Sequence, residues 1–66
     1  GLESLEKILQ LPNELTQSAA LHGLGHAAKS YPKKAAAIID RWLATQPVLG
    51  PGMLEYAQQA RTGEVL

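Results

Sequence analysis

Residues 13–29, NELTQSAALHGLGHAAK, hold the longest proline-free run of good helix formers ahead of Pro32. With residues placed about 100° apart, Leu15, Ala19, His22 and His26 share one face of a helix. Ala20, Leu21, Leu24 and Ala28 occupy much of the opposite side, and Gly23 and Gly25 fall on the two flanks between. A helix that is apolar nearly all round is expected to be buried on several sides. Each interior glycine costs about 1 kcal/mol relative to alanine. Close approach of neighbouring helices at Gly23 and Gly25 is the expected compensation.

Working outward, proline and glycine divide the rest of the chain into three more helical segments. One runs from about Leu2 to Gln10, with Leu2, Leu5 and Leu9 on a stripe and Ile8 beside it. Glu3 and Glu6 sit near its start, where the helix dipole favours negative charge. Pro12 ends it by pushing Leu11 away from helical angles. A third helix opens at Pro32, which suits a first helical position, and runs to about Gln46 before Pro47. Its stripe is Ala35, Ile38, Ile39, Trp42 and Leu43, with Lys33, Lys34, Asp40 and Arg41 on the other side. Residues 47–52 read as a loop. Met53 to about Arg61 is a fourth helix with Met53, Tyr56, Ala57 and Ala60 inward, stopped by Gly63 and followed by a short tail, Glu64, Val65 and Leu66. The three-residue junction Ser30-Tyr31-Pro32 makes the second and third helices antiparallel neighbours.

Composition agrees with an all-α chain. It holds 11 Leu and 10 Ala against eight β-branched residues, and no segment alternates over a strand length. Sixty-six residues allow one small domain. Six basic and six acidic residues balance, and 45% of positions are apolar, which argues against disorder. The same balance argues against a nucleic-acid binder, which carries a concentrated basic surface. The absence of Cys excludes disulfides and thiolate metal sites. No apolar run approaches the roughly 18 residues of a membrane span, so no membrane partner is expected and the expected location is cytoplasmic. A single core of this size leaves little stability margin.

His22 and His26 stand four apart, so both imidazoles can project from one helix face in the manner of a zinc- or haem-type ligand pair. The residue after His22 is Gly23, where a zincin mechanism needs a glutamate base. No third ligand lies at a recognisable spacing, and Glu14 is the nearest candidate. The leading expectation is therefore structural, two polar groups satisfied inside a helix packing face. A metal- or cofactor-binding use of His22 and His26 is the alternative, with a proton-linked role beside it. Gly23-x-Gly25 lacks the strand and third glycine of a phosphate loop. Trp42 is expected in the core, and Tyr31 over the seam between the second and third helices. Lys29, Lys33 and Lys34 form the basic cluster of a conceivable helix-turn-helix, opposed by Asp40 and by the neutral total charge. Ser4, Ser18 and Ser30 have no spacing that marks a nucleophile, so no enzymatic activity and no cofactor are expected.

Three stretches carry a family resemblance: residues 18–26, SAALHGLGH; Tyr31-Pro32; and residues 38–43, IIDRWL. Together with residues 54–63, LEYAQQARTG, they resemble a C-terminal segment of bacterial HEAT-like (armadillo-type) helical-repeat proteins. The resemblance covers about residues 15–66. It implies the last repeat and cap of an α-α superhelix, a non-catalytic interaction or scaffold module, and an unassigned biochemical role. The second and fourth helices begin about 39 residues apart, near the roughly 40-residue period of such repeats. The expected partner is a protein surface or upstream repeats of the same chain, with self-association through spare apolar surface. That surface is expected on the first two helices, and to exceed the few hundred Å² usual for a monomer.

Overall fold

The computed structural model describes residues 1–46 and 48–66. Its elements are α1 (Leu2–Leu9), α2 (Glu14–Ala28), α3 (Pro32–Thr45) and α4 (Pro51–Arg61), and among the described residues there is no strand. The chain is all-α.

The start of α2 is fixed by side chains that satisfy amides lacking an intrahelical partner. Asn13 is its N-cap, and its Oδ1 accepts from the amides of Leu15 at 2.9 Å and Thr16 at 3.2 Å. The Thr16 hydroxyl donates back to the Asn13 carbonyl at 2.9 Å. Gln17, buried although polar, donates its Nε2 to the Leu11 carbonyl at 2.9 Å and so ties the α1–α2 turn to the helix. Pro51 begins α4, two residues before the expected start at Met53, with Gly50 as N-cap. The amide a proline lacks is one the first turn would leave unpaired, so Pro51-Gly52 belongs to the helix rather than to the preceding loop. Gln46 turns extended at the end of α3; the expected stop at Pro47 lies outside the described residues.

α2 is the central helix. It packs against α1, α3 and α4; α1 also meets α3, and α3 meets α4. The core joins Leu9, Ala20, Leu21, Leu24, Ile38, Ile39, Trp42, Ala57, Ala60 and Val65, with Leu2, Leu5, Leu43, Met53 and Tyr56 packed against it. Of the inward stripes expected for α3 and α4, Ala35, Ile38, Ile39, Trp42, Ala57 and Ala60 are buried, and Leu43, Met53 and Tyr56 are half-buried at their margins. Exposed charges join the helices at the surface. Arg41 makes a two-pronged ion pair with Glu6, at 3.1 and 3.2 Å, and Arg61 does the same with Asp40, at 2.7 and 3.0 Å.

α2 is not buried on several sides. Gln17, Ala20, Leu21, Leu24, Gly25 and Ala28 are buried and span an arc of about 140°. Leu15, Ala19, His22 and His26 are exposed. α1, α3 and α4 pack along this arc and its flanks, and the face with Leu15, Ala19, His22 and His26 has nothing against it among the described residues.

The two glycines of α2 are approached from different directions. A β-carbon at Gly23 would lie 3.0 and 3.2 Å from the two δ-carbons of Leu5, on α1. At Gly25 it would overlap both γ-carbons of Val65, one of them at 2.7 Å. At Gly23 the neighbour is the flexible end of a side chain of α1, whereas Gly25 receives the C-terminal segment. That segment is aimed by Gly63, the one described residue with positive φ, at 77°. The Gly63 amide donates to the Ala60 carbonyl at 3.1 Å and the Glu64 amide to the Gln59 carbonyl at 2.9 Å. These are the two bonds of a Schellman turn, and they return Val65 to α2.

Candidate functional site

The exposed ridge of α2 carries the histidine pair. Both rings are exposed, so they are not groups satisfied within a packing face, as the sequence had suggested. They satisfy each other: the Nε2 atoms lie 2.8 Å apart, a hydrogen bond in which one ring donates and the other accepts. The ring centres are 4.6 Å apart with planes inclined by 23°. The rings are stacked, with their Nε2 atoms closer together than their centres. One helical turn of separation permits this; residues at i and i+4 are surface neighbours. Glu14 does not join them. It precedes His22 by eight residues, about 12 Å along the axis, and among the described residues no three His, Cys, Asp or Glu side chains gather as a metal cage.

Further along the same helix, an apolar strip crosses the α1–α2 corner. Ile8 is 38% exposed, Leu11 49% and Leu15 83%. They follow one another through the end of α1, the turn and the first turn of α2. Their place is the one expected for spare apolar surface.

The concave features are open grooves. One of about 530 Å³ lies between the starts of α2 and α4, lined by Glu14, Ser18, Gly50, Gly52, Met53 and Tyr56. Another, about 450 Å³, is bordered by Glu6, Gln10, Arg41, Trp42 and Thr45. The hydrogen bonds that Arg41 donates to Glu6, and secondarily the charge of that carboxylate, hold Arg41 above its ordinary pKa. Trp42 is buried as expected, and its Nε1 has no hydrogen-bond partner among the described residues. Tyr31 does not close over the α2–α3 seam; it is 57% exposed, with Lys34 Nζ 5.8 Å from its ring centre. Lys29, Lys33 and Lys34 are all exposed, as are Ser4 and Ser30. Gly23 and Gly25 lie inside α2 against Leu5 and Val65, not in a loop that could cradle a phosphate.

No family model matches this chain, and neither a curated protein nor a solved structure matches it. No helix among the described residues is long and apolar enough to cross a membrane.

Proposed function

We infer that the chain is a non-catalytic interaction module of HEAT-like helical-repeat type, which offers its α1–α2 corner to an apolar protein surface. The observation that carries this reading is the exposed run Ile8, Leu11 and Leu15. Other exposed apolar residues, Val48, Leu54 and Leu66, are dispersed over a loop, α4 and the C-terminus, and single exposed apolar residues need no partner. The corner is different because three large side chains succeed one another there.

The packing pattern supports the repeat component. α1 lies against α3 and α2 against α4, the relation expected when one helical hairpin stacks on the next. The folded surface is 4306 Å², close to the roughly 4,100 Å² that scaling gives for a compact chain of this mass. The reading therefore rests on what the corner is made of, not on an excess of total area.

Sedimentation across a hundredfold range of concentration tests the assignment, with Leu15→Glu as the paired variant. Leu15 is too exposed for that change to unfold the chain. Reversible association in the parent and its loss in the variant are expected. A strictly monomeric parent that binds no hydrophobic dye would overturn the reading.

A further inference from the structure

We propose that His22 and His26 form a two-ligand site for a divalent metal ion of the copper(II) or nickel(II) type, bound through both Nε2 atoms on the solvent face of α2. Both side chains project from one rigid helix, one turn apart, so the pair is positioned by the backbone rather than by a loop. Both rings are exposed, and their Nε2 atoms already face each other at 2.8 Å.

The 2.8 Å separation is that of the hydrogen bond between the rings, and with metal–nitrogen bonds of about 2.0–2.1 Å both a right-angled and a tetrahedral pair lie within a small movement of it. The affinity order selects among metals: for nitrogen ligands it peaks at copper(II), and tetragonal copper(II) or nickel(II) sites suit imidazole pairs. Glu14 is too distant to complete a protein cage, so water fills the other positions.

The exchange balances without any redox change. In the metal-free pair one ring carries its proton on Nε2 and donates it to the other. On binding, that proton passes through solvent to Nδ1 of the same ring. Both Nε2 lone pairs become available, and the moved proton stays on its own ring. The metal then takes the bridging place that the proton held.

The test titrates Cu2+ alone, and then Ni2+ and Zn2+, into the intact chain and into His22→Asn and His26→Asn. Circular dichroism confirms that each variant folds, as the exposure of both rings predicts. Substoichiometric Cu2+ should broaden the ring resonances of His22 and His26 before any others. Each substitution should weaken Cu2+ and Ni2+ binding at least tenfold, and saturating Ni2+ should raise the melting temperature of the parent only. Broadening centred on the Gly1 amine would overturn the site. So would a single substitution without effect, which would mean one imidazole suffices. Zn2+ binding tighter than Cu2+ would overturn the assignment to copper(II) or nickel(II).

Discussion

Val65 closes directly over Gly25. A β-carbon at that glycine would overlap both valine γ-carbons, so the absence of a side chain on α2 is what admits the C-terminal segment into the core. Overpacking costs about 1–3 kcal/mol, and the helix-propensity gain of Gly→Ala is about 1 kcal/mol. Gly25→Ala should therefore destabilise the chain by about 1–2 kcal/mol. Val65→Ala removes the obstructing methyls, so the double variant should lose less than the sum of the singles. Urea denaturation of the four chains checks this, and additive losses would mean that the contact does not exist in solution.

Gly23→Ala should behave differently. The atoms in its way are the ends of the Leu5 side chain, at 3.0 and 3.2 Å, and Leu5 is only half-buried. It can yield by a few tenths of an ångström, which leaves most of the roughly 1 kcal/mol propensity gain in place. A melting temperature equal to or above that of the parent is expected. A fall as large as that of Gly25→Ala would mean that α1 cannot shift relative to α2.

Trp42 separates the value of volume from that of its polar atom. Trp42→Ala should cost about 3–5 kcal/mol, enough to abolish cooperative folding in so small a chain. Its Nε1 is buried without a partner among the described residues, and such a group costs about 1–3 kcal/mol when unpaired. Trp42→Phe removes that liability along with some volume, and its net cost should stay within about 1 kcal/mol. Chemical denaturation of both variants measures the difference; equal damage from Phe and Ala would show that the indole N–H has found a partner.

The α1–α2 corner depends on two polar side chains. Asn13→Ala loses a cap for two amides and should cost about 1 kcal/mol. Asn13→Asp should retain the stability, because a carboxylate also accepts these bonds and favours the helix N-terminus. Gln17→Leu leaves the Leu11 carbonyl without its 2.9 Å donor and should cost about 1 kcal/mol. Amide exchange in the turn should accelerate in Asn13→Ala and in Gln17→Leu and remain slow in Asn13→Asp. Unchanged exchange throughout would mean that the turn is held by its backbone alone.

What the sequence by itself determined was local. Proline and glycine placed the breaks between helices, Pro32 and Gly63 acted at a helix start and a helix stop, and the stripe through Ala35, Ile39 and Trp42 identified the buried face of α3. The four-residue spacing of His22 and His26 put both imidazoles on one ridge, so the pair itself was legible. Only the tertiary structure decided which side of α2 is covered. Both of its faces are apolar, and periodicity states which residues lie together without stating where neighbouring helices pack. All three neighbours chose the side with Leu21 and Leu24, leaving Leu15, His22 and His26 in solvent. The role of Val65 was hidden for a similar reason: its partner, Gly25, is 40 residues earlier in the chain, and the two meet only because the turn at Gly63 reverses the backbone toward α2.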